Sequence, residues 1–379
     1  MAYLRSSKVN DVLPSSQSSN RNIIINGAMA VNQRGDYGTT TTLGYKGADR
    51  WYSHNAGLAP ANQVVYSTPS MSDGPDGIRN STKIGFHPSY NLGSVGSDDV
   101  MYQRYRIEAR DVAHLQYGTA SAKDVTLSFY VKTNCNTGGA NTFAIACYCA
   151  DGDRVITTTY TASHSGWQRY TWTVPGDTGG TINDDSGPGM EFRWYLISGS
   201  NFNSVDATGT WTGHASNKES YGHTTNLFLT DDQAWEITGV QLEVGKIATP
   251  FEHRSYDDDL QRCWRYYELL VHGEDAAWQM IGVANGYKSD QINWALPFKT
   301  PKASDTGSYV LKYQSGTNYF TARNHSTIFE SDHVGATLSY QSRNMINGYI
   351  TSISGVSEGT GWTFFLNNAA AFIAIEAEI

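Results

Sequence analysis

Three stretches of this chain alternate strictly between apolar and other side chains, and that alternation confines the fold more than any other feature. Val125, Leu127, Phe129 and Val131 alternate with Thr126, Ser128, Tyr130 and Lys132. Phe143, Ile145, Cys147 and Cys149 repeat the pattern, as do Met190, Phe192, Trp194 and Leu196, with a shorter version at Tyr170, Trp172 and Val174. A strand places successive side chains on opposite faces, so each stretch predicts one buried and one wet face. Antiparallel sheets in a sandwich or barrel follow. No helical period appears before residue 255.

The segment that closes this region changes phase. Trp235 and Ile237 occupy odd positions, whereas Val240, Leu242 and Val244 occupy even ones. One extra residue near Gly239 restores the register, which predicts a β-bulge there. Leu227 and Leu229 predict a further strand. Ile23 to Ile25 predict another before the turn dipeptide Asn26-Gly27, and residues 53–120 predict long loops with short strands. The first β domain ends near Phe251 and takes in residues 22–252.

A connecting helix over residues 253–273 comes next. Ser255 is its expected N-cap, Asp257, Asp258 and Asp259 oppose the helix dipole, and Gly273 is its expected stop. Leu260, Cys263, Tyr267 and Leu270 would form one apolar stripe. Short strands then return from Ile292 to Phe298, Tyr309 to Tyr313, Gly348 to Ile353, Trp362 to Leu366 and Phe372 to Ile379. They predict a smaller distal β domain over 274–379. Residues 1–21 are polar and serine-rich and form a candidate attachment arm.

Charge and motifs restrict function. A net charge of −9 argues against a nucleic-acid groove, which needs clustered Lys and Arg. No stretch has the apolar length of a membrane span, and the first residues lack a signal-peptide core, so no membrane insertion is expected. The four cysteines form no disulfide framework, which suits assembly in a reducing cytoplasm. The chain lacks a nucleotide-binding loop, a zinc spacing and a serine nucleophile elbow, and no catalytic residue is assigned. Glycoside hydrolysis would require two carboxylates about 5–10 Å apart, for which Asp184, Asp185, Asp231, Asp232 and Glu191 are the available acids. Asn183-Asp184-Asp185 also offers oxygen ligands of the kind Ca²⁺ prefers. Arg34-Gly35-Asp36 matches an adhesion tripeptide, and in a turn-rich chain it reads as chance.

Sugar recognition needs aromatic faces beside polar groups in exposed loops. Trp211 and His214, Tyr221 and His223, Tyr319, and Trp362 are the glycan-binding candidates. Each also fits an aromatic that merely packs beneath a loop, and Trp362 fits the start of a core strand.

Several blocks carry a family resemblance. VQLEVG (240–245), ATPFEHRS (248–255) and the LQRCWRYYE segment (260–268) resemble the junction of bacteriophage tail-fibre and tail-appendage proteins. NIIINGAMAVNQRG (22–35), ADRW (48–51) and the terminal IAIEAEI (373–379) extend the likeness. The resemblance implies a virion protein with a jelly-roll-like β-sandwich similar to a carbohydrate-binding module, in which a structural Ca²⁺ at Asp184 and Asp185 would be in character. It also implies other virion tail proteins and host surface polysaccharide as partners. A homotrimer is implied as well, meeting along Leu260, Cys263, Tyr267 and Leu270. The expected function is host attachment from the phage tail, after assembly in the host cytoplasm. The alternatives are a structural connector or head-attached fibre, and a polysaccharide depolymerase, which the lack of a repetitive parallel β-helix pattern disfavours.

Overall fold

The computed structural model describes residues 20–40, 44–58, 64–72, 74–86, 92–135, 141–164, 166–230, 232–272, 279–303, 310–313, 320–324, 328–331, 337–338, 342–351, 355–366 and 372–379. Most of residues 1–21, the segment expected to be an attachment arm (all but Asn20 and Arg21), together with Asp231, Gly273 and Tyr319, lie outside them.

Two antiparallel sheets form a jelly-roll-like sandwich. Sheet one runs in the order Tyr37–Thr40, Val64–Ser67, Thr82–Phe86, Ala234–Val244, Val125–Thr133 and Gln168–Val174. Sheet two runs Thr212–Gly213, Arg154–Ala162, Asn141–Cys149, Pro188–Ser198, Val100–Glu108, Trp51–Ala56 and Gly44–Tyr45. The alternating apolar residues of both sheets meet in one core. Each large side chain buried there contributes about 1.5–3 kcal/mol, and ring pairs such as Trp51–Trp194 (5.4 Å) and Phe129–Tyr160 (5.3 Å, edge-on) add to it. Trp235 Nε1 donates to Tyr160 Oη across the sandwich at 3.0 Å, so this indole N–H is satisfied inside the core. All four cysteines are buried and free.

The predicted bulge is present. Register shifts between Thr238 and Gln241, and Gly239 has φ +58°. Val240 N donates to Gly27 O at 2.9 Å, which ties the bulge to the turn after Ile25.

Three expectations in this domain need correction. Val100–Glu108, inside the region read as loops, is a central strand of sheet two. Gln103 interrupts its inward apolar phase and hides it in the sequence; in the fold Gln103 is buried and accepts from Ser53 Oγ at 2.6 Å. Leu227 and Leu229 form no strand, because Phe228 at φ +69° breaks the extended backbone, although Leu227 and Phe228 still fill the core. Ile23 to Ile25 are likewise outside any strand.

The connecting helix is shorter than expected. Ser255 does cap it, accepting from Asp258 N at 3.1 Å, but it ends at Trp264. Tyr267–His272 is a strand paired with Phe372–Glu376. The pairing overrides the helical spacing, since a Tyr-Glu-Leu-Leu-Val run suits a pleated ladder. The proposed trimer stripe is therefore divided. Leu260 and Cys263 lie on the helix and Tyr267 and Leu270 on the strand, with Cys263 and Tyr267 buried inside the chain.

The distal domain has two sheets. One is Tyr267–His272, Phe372–Glu376 and Val310–Tyr313; the other runs Ile328–Ser331, Phe320–Arg323, Gly361–Leu366, Gln279–Lys288, Gln291–Pro297, Met345–Thr351 and Thr337–Leu338. Trp294, Trp362, Phe364, Ile373 and Ile375 belong to its core.

The blocks that carry the resemblance converge at the junction. Asn22 Oδ1 accepts from Ile24 N and Leu242 N, and its Nδ2 donates to Val240 O. Arg34 pairs with Asp49 (3.2 Å) and Glu378 (3.0 Å) and lies 3.7 Å over the Tyr267 ring. Arg50 also pairs with Glu378 and lies 3.4 Å over Tyr266. Glu108 accepts from Arg265 (2.6 Å) and from Tyr266 Oη (3.0 Å). Buried charges thus fasten the last strand of the distal domain to the sandwich.

Candidate functional site

The outward face of sheet two is the one that differs from an ordinary wet sheet face. Sheet one turns Thr126, Ser128, Tyr130 and Lys132 away from the core, with Arg169 5.9 Å over Tyr130, whereas sheet two turns out longer rows of Tyr, His, Arg and Glu. The register sets them in rows. His54 stands opposite Tyr102, which stands opposite Tyr195. In the next row Tyr52 faces Arg104, Arg104 faces Arg193, and Arg193 faces Ala146. In the third, Arg106 faces Glu191 and Glu191 faces Tyr148.

The rings and guanidinium groups stack along these rows. His54 stacks on Tyr102 at 4.6 Å, and Tyr102 lies 5.2 Å from Tyr195. Arg104 lies 3.9 Å over Tyr52, and Arg193 lies between Tyr102 (5.4 Å) and Tyr148 (4.8 Å). Tyr45 continues the aromatic line, edge-on to Tyr52 at 5.1 Å. Tyr52, His54, Arg104 and Tyr148 are half-buried, so the rows form a shallow strip reachable from solvent.

Within these rows the charges are paired. Glu191 accepts from Arg106 (2.6 Å) and Arg193 (2.5 Å), and Glu219 accepts from Arg193 (2.6 Å), Tyr195 Oη (2.5 Å) and His214 (2.5 Å). Burial alone would raise the Glu191 carboxyl, but Arg193, Arg104 and Arg106 outweigh it and hold it below the usual carboxylate range. Glu191 is thus a fixed anion rather than a proton donor. Burial, with Arg104 and Arg193 nearby, lowers His54 below its ordinary value, which favours the neutral ring at physiological pH. A neutral imidazole both donates and accepts, which suits a hydroxyl group.

The sequence candidates distribute unevenly. His214 belongs to this site: it bonds Glu219 and its ring lies 4.7 Å from Tyr148. Tyr221 is exposed in a turn beyond it. Three others are corrected to packing roles. Trp211 is buried edge-on against Tyr117, with Nε1 donating to Pro175 O at 2.7 Å. His223 is buried, and its Nδ1 accepts from Ala144 N at 3.2 Å. Trp362 is 2% exposed in the distal core, so it is a strand residue and no sugar platform. Asp185 is occupied by Gly187 N at 2.8 Å. Among the described residues no group of three or more His, Cys, Asp or Glu side chains is arranged for a metal, Asp184 and Asp185 included.

Sequence reading missed Tyr52, His54, Tyr102, Arg104, Tyr148 and Arg193. For Tyr148 and Arg193 the signal lay in the outward phase of strands whose inward phase is legible, whereas Tyr52, His54, Tyr102 and Arg104 lie on Trp51–Ala56 and Val100–Glu108, which the sequence does not mark as strands.

A cleft of about 790 Å³ lies beside the strip, lined by Tyr45, Tyr256, Leu260, Trp264, Lys299 and Glu376 among others.

No family model and no curated protein matches the chain. Among solved structures, it is similar to the xylan-binding CBM22-1 domain of Paenibacillus barcinonensis Xyn10C. That likeness has 10% identity and a TM-score of 0.26, over 55% of this chain and 94% of that one. A carbohydrate-binding module of the CBM4 class is similar at 15% identity and a TM-score of 0.26, over 58% and 97%. The tandem CBM22-1–CBM22-2 domain of the same Paenibacillus protein aligns at 11% identity and a TM-score of 0.26, over 91% and 99%. With TM-scores this low, the reading of the site rests on its own residues.

Proposed function

We propose that this chain recognises glycans, and that the outward face of sheet two is where it does so. The observation that carries the reading is the stacked strip of Tyr52, His54, Tyr102, Arg104 and Tyr148, with paired charges in the same rows. The half-buried rings of Tyr52, His54 and Tyr148, braced by buried Tyr102, offer flat apolar faces to the C–H side of a sugar, and the imidazole and guanidinium edges offer hydrogen bonds to its hydroxyls. The paired charges hold those rings in place and keep Glu191 and Glu219 ionised, as groups that fix the positions of their neighbours.

The wider reading places the chain in a bacteriophage tail appendage. It would contact other virion proteins near its N-terminal end and bind host surface polysaccharide through the sandwich. Assembly as a homotrimer would multiply a weak single-site affinity. The test is binding of labelled protein to candidate host cells with and without their surface polysaccharide. Saturable binding that depends on the polysaccharide, and falls about tenfold or more in Tyr52→Ala or Tyr148→Ala, supports the reading. Equal binding to stripped cells refutes it.

A further inference from the structure

We propose that the glycan is acidic and that Arg104 receives its anionic group; this rests on the glycan reading above. Three guanidinium groups meet two carboxylates on this face, and the three are not equivalent. Arg106 donates to Glu191 (2.6 Å) and to the carbonyl of Ile379 (2.9 Å). Arg193 is held between Glu191 and Glu219. The Arg104 side chain makes no hydrogen bond among the described residues. Its Nε stands 4.0 Å from Glu191, beyond hydrogen-bond reach, and its side chain is 13% exposed.

Stacking makes that vacancy directional. With its plane over Tyr52 at 3.9 Å, the guanidinium is oriented by the ring while its N–H edges remain unused. A planar fork of five donors matches a carboxylate with two parallel bonds, a geometry lysine lacks. Arg193 stands directly opposite in the ladder, and like charges so placed repel. An incoming anion relieves that repulsion. Tyr52 and His54 flank Arg104, so a sugar ring can rest on the aromatics while its acid group reaches the guanidinium.

The experiment is an array of acidic oligosaccharides, each printed beside its carboxyl-reduced, neutral counterpart. It is probed with the full chain and with Arg104→Gln and Arg104→Lys, all shown to be folded by circular dichroism. The wild type is expected to bind the acidic member about ten- to a hundredfold tighter than its neutral twin, the range of one charged hydrogen-bonded contact. Arg104→Gln should lose that preference, binding the acidic and neutral members equally whatever its overall affinity, with Arg104→Lys in between. Equal wild-type binding to both members, or unchanged acidic binding by Arg104→Gln, overturns the proposal and leaves the glycan reading standing. Binding to no sugar of either kind removes both.

Discussion

Replacing Glu378 by alanine should loosen the distal domain from the sandwich. Glu378 is 4% exposed at its side chain and pairs with both Arg34 and Arg50. Arg34 keeps Asp49 at 3.2 Å after the change, and Glu376 at 3.7 Å. Arg50, with 1% of its side chain exposed, keeps only the Arg106 carbonyl and the Tyr266 and Tyr105 rings. Removing one partner of a buried ion pair costs about 3–5 kcal/mol, mainly because the other charge is left uncompensated. The assay is urea unfolding followed by tryptophan fluorescence and far-ultraviolet circular dichroism. Both domains contain buried tryptophans, so an uncoupled distal domain appears as an earlier, separate transition. A double change, Arg50→Met with Glu378→Leu, should recover most of the loss, since apolar replacement of a whole buried pair is often neutral. A Glu378→Ala protein that unfolds in one transition, within about 0.5 kcal/mol of wild type, refutes the view that this charge cluster joins the domains.

His223 gives a pH test. Burial lowers it to about 4, so its contribution is present above the ordinary histidine value and is lost as pH falls from about 6.5 toward 4. At about 1.4 kcal/mol per unit the loss approaches 3 kcal/mol. Asp49 works in the opposite direction: burial raises it to about 6, so protonation below that value stabilises the fold and partly masks the histidine. The comparison is therefore wild type against His223→Asn by urea midpoint, and the gap between them should narrow between pH 7 and pH 4.5. A gap independent of pH contradicts the assignment. Gly239→Ala should cost about 2–4 kcal/mol by the same assay, from left-handed strain and overpacking. A Cβ there would lie 2.8 Å from both Ile78 and Tyr130. A midpoint equal to wild type would show that the bulge tolerates a side chain.

What could be read from the sequence followed the strength of the local signal. Strands with an unbroken apolar phase, such as Val125–Thr133 and Asn141–Cys149, were legible, and so were the Gly239 bulge and the Ser255 cap, because each is set by neighbours in sequence. Val100–Glu108 was not, since buried Gln103 is satisfied by Ser53, a residue fifty positions away. The end of the helix was set by pairing of Tyr267–His272 with a strand a hundred residues later. The loop aromatics misled for a related reason. Trp211 and His223 sit in polar stretches yet fold inward onto Pro175 and Ala144. The candidate face was partly legible: outward Tyr148, Glu191 and Arg193 are visible in the alternation, but the residues on Trp51–Ala56 and Val100–Glu108 are not, and the rows depend on strand order, which no single strand encodes.

The most direct test of the central claim is a chemical footprint of the folded protein with and without the surface polysaccharide it binds. Tyrosines would be nitrated, histidines carbethoxylated, and the sites read by mass spectrometry. The account predicts that Tyr52, Tyr148 and His54 become protected while exposed Tyr287, on the smaller β domain, reacts as before. Protection confined to Tyr256 or Tyr287, with Tyr52 and His54 unchanged, would place recognition elsewhere and contradict the account.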